Sequence, residues 1–129
     1  MATTTHVPIE VYLRSSYEPD AEYVDGRINE RPMGEFDHAS RQQAIQSRFM
    51  RHQIESGIRV RPELRIKVAA TRDRVPDVTV LDRSRPKKQI VTHPPLAVFE
   101  ILSSEDRVQP LKFKLEDHRV MGYTGDPVD

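Results

Sequence analysis

The chain has 129 residues, 36% hydrophobic and 31% charged, with 20 basic and 20 acidic side chains that cancel. That length suits one domain, expected over 1–129, and the clustered apolar residues argue against disorder. The absence of cysteine excludes disulfides and thiolate metal sites, no apolar run is long enough to cross a bilayer, and MATTTHVPIE lacks the pattern of a signal peptide. A cytoplasmic protein with no membrane partner is therefore expected. The charge is uneven: Arg41 to Lys88 holds 13 basic and 5 acidic residues, leaving 7 and 15 elsewhere. A basic middle between acidic ends is either a polyanion footprint or a solvated face.

In chain order, PIEVYLRSSY (Pro8–Tyr17) reads as a short helix, with Pro8 at an early position and Val11 sharing a face with Tyr12 and Ser15. Asp25-Gly26 is a two-residue hairpin signal, so Glu22–Val24 and Arg27–Glu30 should pair as an N-terminal hairpin. A long helix follows, with Asp37 as its N-cap, Ile45, Phe49, Met50 and Ile54 as its apolar stripe and Gly57 as its stop. IRVRPELRIKV (Ile58–Val68) alternates with period two, which predicts one half-buried strand with Arg59, Arg61, Glu63, Arg65 and Lys67 on its polar face. Pro62 points to an edge or a bulge. ATRDR reads as a turn and VPDVTVLD as a second strand. RSRPKKQIVTHPP is a basic loop, and Leu96–Leu102 is a third strand, expected to be central because it is the most apolar. A helix from about Leu111 to Met121 would bury Leu111, Leu115 and His118. The order predicts an α/β (α+β-like) fold with a mixed, mostly antiparallel sheet flanked by helices.

Glu100 interrupts the third strand, and a carboxylate there needs a partner or a metal. Asp77, at the start of the preceding strand, is its natural neighbour. Two acids from adjacent strands repel unless a cation lies between them, and oxygen ligands suit magnesium. Taken singly, Glu100 is as readily an outward-pointing acid at a strand end, and Asp77 a turn acid after Pro76. Glu63 is a possible third acid, although a surface ion pair with Arg61, Arg65 or Lys67 accounts for it more simply. Lys114 borders the apolar face of the last helix, where it either reaches over the sheet to a metal-bound water or a phosphate, or snorkels to solvent. The histidines show no zinc spacing, and neither a Ser-His-Asp signature nor a phosphate-binding glycine loop is present.

Four blocks, YEPDAEYVDGRI, GEFDHAS, RVPDVTVL and FEILSSEDRVQPLKFKLEDHRVMG, together resemble the bacterial Uma-two family of restriction-endonuclease type, within the PD-(D/E)XK nuclease superfamily. The likeness runs in order from about Val11 to Gly122. It implies a restriction-endonuclease-like core that uses Mg²⁺ (or Mn²⁺) to hydrolyse phosphodiester bonds in DNA. Asp77 matches the acid of the "PD" motif and Glu100 the acid of the next strand. The usual lysine position two residues later is Leu102 here, and the family resemblance implies Lys114 in its stead. Glu22 matches an early family acid and His38 a family position at the start of the long helix, both as accessory residues. Arg59, Arg61, Arg65 and Lys67 are expected to form a strip along the DNA backbone.

The chain departs from the family at His118, where tyrosine is usual, and at its end. Relatives continue with further sheet where this sequence reads YTGDPVD, so the fold is expected to be C-terminally shortened, with an edge that a second copy in a homodimer could cover. The alternative functions are a catalytically inactive, shortened nuclease-fold module that binds nucleic acid or a protein partner, and a metal-dependent hydrolase of another substrate.

Overall fold

A computed structural model describes residues 6–31, 35–102 and 108–121, with only the backbone of 108–110. The terminal YTGDPVD lies outside the described residues. In chain order the elements are α1 (Ile9–Leu13), β1 (Glu22–Val24), β2 (Arg27–Asn29), α2 (Phe36–Met50), β3 (Ile58–Pro62), β4 (Ile66–Ala69), β5 (Arg72–Arg74), β6 (Val78–Asp82), β7 (Ala97–Phe99) and α3 (Val108–Val120). Two antiparallel sheets result, with strand orders β2-β1-β5-β4 and β3-β6-β7. An isolated parallel bridge joins Ile66 to Val91. The mixed α/β class with antiparallel sheet and helices is as expected.

The hairpin forms at Asp25-Gly26, where both residues have positive φ, 50° and 91°. That is the requirement of a tight turn whose twist matches its strands. A Cβ at Gly26 would also meet the His6 ring, which would have to swing aside. The long helix starts two residues earlier than an N-cap at Asp37 would place it. Glu35 is its N-cap, without a side-chain cap bond, and Asp37 lies in the first turn, where its charge favours the positive end of the helix dipole. Ile45 and Phe49 pack on the sheet, whereas Met50 and Ile54 are exposed. The helix has ended at Met50, so Ile54 falls off the stripe. Gly57, at φ 67°, is not the helix stop: the helix ends at Met50 with Arg51 as its C-cap, and Gly57 closes the turns that follow.

The continuous strand expected over Ile58–Val68 is instead two strands in different sheets. Pro62 has no N–H for the ladder, and Glu63 takes a left-handed φ of 51°, which turns the chain from one sheet to the other. The period-two burial survives the break, with Val60, Ile66 and Val68 all buried. The segment read as a turn contains β5, which pairs with both β1 and β4. Its arginines are held by carboxylates of other elements rather than by an apolar face, so hydrophobic periodicity gave no signal. The third strand is not central: β7 pairs only with β6 and is an edge of the described sheet.

The β3-β6-β7 sheet is covered on both faces. Val60, Val78 and Val80 pack under α2 with Ile45, Phe49 and Phe99. Leu81 and Val98 pack on the other face against Ile66, Val68 and Val91. This second core joins the two sheets and sets Asp77 and Glu100 at its margin.

Candidate active site

The register of β6 and β7 brings the two acids together. Val78 is opposite Phe99 in the antiparallel pairing, so Asp77 and Glu100 follow as the next pair, beyond the last rung. Asp77 is buried, and both carboxylate oxygens and its carbonyl are engaged. Its Oδ2 accepts from the Ile101 N–H at 2.7 Å, and its carbonyl accepts from Gln42 Nε2 at 2.8 Å. Its Oδ1 accepts from Arg31 Nη2 and lies 3.4 Å from His38 Nε2.

Glu100 stands in contrast. Its Oε1 is buried without a hydrogen-bond partner among the described residues. Burial pushes its carboxyl up to about 8 against the pull of Lys114; the Asp77 and Glu22 carboxylates add to the rise, and Arg31 opposes it. The carboxyl therefore favours its protonated form at neutral pH.

Glu22 enters from β1 and is also buried. Its Oε2 accepts from the Val75 N–H at 2.8 Å, and its Oε1 lies 3.2 Å from Arg74 Nη1 and 3.4 Å from Lys114 Nζ. Lys114, on α3, thus reaches over the sheet into the acid cluster. Behind it Arg74 Nε donates to Asp117 at 2.8 Å, and Arg72 bridges Asp117 and Asp25. His118 is buried with both ring nitrogens unpartnered among the described residues, and burial lowers it to about 4. It fills an apolar position as a neutral ring.

Asp77, Glu100, Glu22, Lys114 and His38 therefore meet at one end of the β3-β6-β7 sheet. Glu63 joins them indirectly. It pairs with Arg31 at 2.7 Å, not with Arg61, Arg65 or Lys67, because its left-handed backbone turns it away from the strand's polar face. The expected backbone strip does not hold together. Arg65 is spent on Asp20, with two contacts of 2.8 Å, and on the Tyr12 and Ser15 carbonyls, and it stacks over the Tyr12 ring at 4.1 Å. Lys67 Nζ donates to the Ala70 carbonyl at 3.0 Å. The break at Glu63 is the physical reason: it sends Arg65 and Lys67 to a different sheet from Arg59 and Arg61.

Sequence reading missed Arg31 and Gln42, which hold Asp77, and the Arg74–Asp117 pair, which holds Glu22. Gln42 lies one helical turn after His38, a spacing that places both on one face of α2; Arg31 had no comparable signal.

The donor set is compatible with a hard divalent cation. Two carboxylates from adjacent strands, one with an orphaned buried oxygen, offer oxygen ligands of the kind magnesium takes one or two at a time while keeping waters. Among the described residues no three His, Cys, Asp or Glu side chains form a closed metal cage. No helix is long and apolar enough to cross a membrane among those residues.

A crystal structure of a "putative nuclease belonging to DUF820 from Anabaena variabilis ATCC 29413" matches with a TM-score of 0.74 at 24% identity, covering 85% of this chain and 65% of that one. This chain thus shares that structure's fold and spans 65% of its length. No curated protein matches the chain. Residues 9–124 match the Uma2 family, described as "Putative restriction endonuclease", and the chain belongs to that family.

Proposed function

We propose that the protein is a Mg²⁺- or Mn²⁺-dependent endonuclease that hydrolyses phosphodiester bonds in DNA. The observation that carries this reading is the pairing of Asp77 with Glu100 across β6 and β7, beside Lys114 and with one Glu100 oxygen buried and unpartnered. Asp77 and Glu100 would hold the cation, which when bound supplies an activated water and offsets charge on the scissile phosphate. Glu100 gives up its proton on loading, so that binding tightens as pH rises towards 8. Lys114, already oriented by Glu22, donates to a non-bridging phosphate oxygen and stabilises the charge that builds in the transition state. Glu22 positions Lys114, and His38 holds the outer side of Asp77. The edge that β7 forms among the described residues also suits pairing of two copies; sedimentation at rising protein concentration measures this.

One observation favours a second reading. Arg31 already neutralises Asp77, in the place a cation would take, as expected of an inactive nuclease-fold module that binds without cutting. Nicking of supercoiled plasmid separates the two. Mg²⁺- or Mn²⁺-dependent nicking, lost in Asp77→Asn and Glu100→Gln, supports the nuclease. Absence of nicking by the wild type, or equal nicking by the variants, contradicts it.

A further inference from the structure

At the other end of β6 the sheet borders a cavity of about 210 Å³ with a very different lining. Arg59 and Arg61 enter it from β3, and Arg85, Lys87, Lys88 and His93 from the loop between β6 and β7. Asp82 is the one carboxylate in the lining. It is already engaged: its Oδ1 accepts from the Ser84 N–H at 2.9 Å and from the Ser84 hydroxyl at 2.7 Å.

Of the described arginines outside this lining, Arg14, Arg27, Arg41, Arg48, Arg51 and Arg83 have no carboxylate partner among the described residues, and the others are matched to acids. Arg31, Arg65, Arg72, Arg74 and Arg119 each sit on a carboxylate, as does Lys114. Among the described residues, Arg59, Arg61, Arg85, Lys87 and Lys88 have no such partner. Two of the lining groups also carry unmet hydrogen-bonding capacity, since Arg59 Nε and His93 Nε2 are shielded from solvent and unpartnered among the described residues. Burial and then the charges of Arg85 and Lys88 hold His93 in its neutral form.

The loop is held in place rather than free to spread its charges. Arg85 N–H donates to the Asp82 carbonyl at 3.1 Å. Val91 is clamped to β4 from both sides, by its N–H to the Arg65 carbonyl at 2.9 Å and by the Lys67 N–H to its own carbonyl at 2.8 Å. Lys88 Nζ is tied to Thr92 Oγ1 at 3.0 Å. Like charges fixed around one cavity repel, and a bound anion reverses the sign of that interaction. Guanidinium groups match phosphate in geometry as well as charge.

We propose that this cavity is an anion site that takes a phosphate group, presented by a nucleic-acid strand or as free phosphate, and that it is separate from the Asp77–Glu100 end. Leu81 borders the cavity and lies four residues from Asp77 along the strand, about 13 Å away. The site requires neither the divalent cation nor hydrolysis, so its test stands apart from that of the nuclease.

The experiment uses the full chain in EDTA at low salt, with a fluorescein-labelled 12-nucleotide single strand read by anisotropy and inorganic phosphate followed by NMR titration. Arg85→Gln/Lys87→Gln alters exposed side chains, and an unchanged melting curve establishes its fold. The proposal expects binding that weakens steeply with salt and falls at least about tenfold in the double variant. Strand binding displaced by inorganic phosphate supports the site with a backbone phosphate as ligand. Phosphate binding without strand binding, lost in the double variant, supports it with free phosphate. If neither probe binds the wild type, or the folded double variant binds both as the wild type does, the proposal is overturned. Strand binding that phosphate does not displace and that survives the double variant overturns it as well.

Discussion

The two ends of β6 solve opposite electrostatic problems. At the Asp77 end, buried acids are met by arginines from β5 and the segment after β2 and by a lysine from α3, while Glu100 Oε1 has no partner among the described residues. At the Asp82 end, cations gather with their one nearby carboxylate already committed to Ser84. The first end can hold a cation only by displacing or adding to its own positive side chains. The second is incomplete until an anion arrives. Compensated charge is built into the fold, whereas uncompensated charge is available for a ligand, and the stability consequences of substitution should differ accordingly.

The largest effect is expected where compensation is deepest. Arg74→Leu strips Glu22 and Asp117 of a shared buried partner, and urea denaturation should show a loss of about 3–5 kcal/mol. A loss under about 1 kcal/mol would mean that water already screens this network. Arg31→Ala should cost less, roughly 2 kcal/mol without metal, because Asp77 keeps the Ile101 N–H. If Arg31 occupies the cation's place, Mn²⁺ should raise the melting temperature of this variant more than that of the wild type. Equal shifts would show that the guanidinium and the metal do not compete.

The pH dependence of stability follows from two buried groups. Folded Glu100 keeps its proton up to about 8, whereas the unfolded chain releases it near 4.5. Raising pH through that window therefore lowers stability, and Glu100→Gln should flatten the slope. His118 acts in the other direction. The unfolded ring charges below 6.5 while the folded ring stays neutral to about 4, so stability falls as pH drops through that range. Denaturation midpoints across pH measure both slopes. The smallest effect belongs to the basic end, where Arg85→Gln should change stability by less than about 0.5 kcal/mol. Its direction should be towards greater stability at low salt, since a like charge is removed.

The difference between the two ends also explains what was legible in the sequence. An acid interrupting an apolar strand is conspicuous, and the pairing of β6 with β7 put Glu100 beside Asp77 as the strand order implied. Lys114 was visible from its place on the border of a helix face. Strand β5 was not, because Arg72, Asp73 and Arg74 form a strand held by distant carboxylates and carry no apolar alternation. The break at Glu63 was hidden by a perfect period of two: burial alternates across the turn, so the pattern could not show that the sheet changes. That single φ separated Arg59 and Arg61 from Arg65 and Lys67. It left the first two beside the basic cavity and sent Arg65 to Asp20.

The central claim is that Asp77 and Glu100 form a divalent-cation site. Calorimetric titration of Mn²⁺ into the wild type and Glu100→Gln, at pH 8 and in the absence of DNA, tests it most directly. The account predicts one saturable site per chain in the wild type, with proton release that grows as the pH is lowered from 8 towards 7, and loss of that site in the variant. No saturable binding by the wild type, or binding of equal strength by Glu100→Gln, would contradict it.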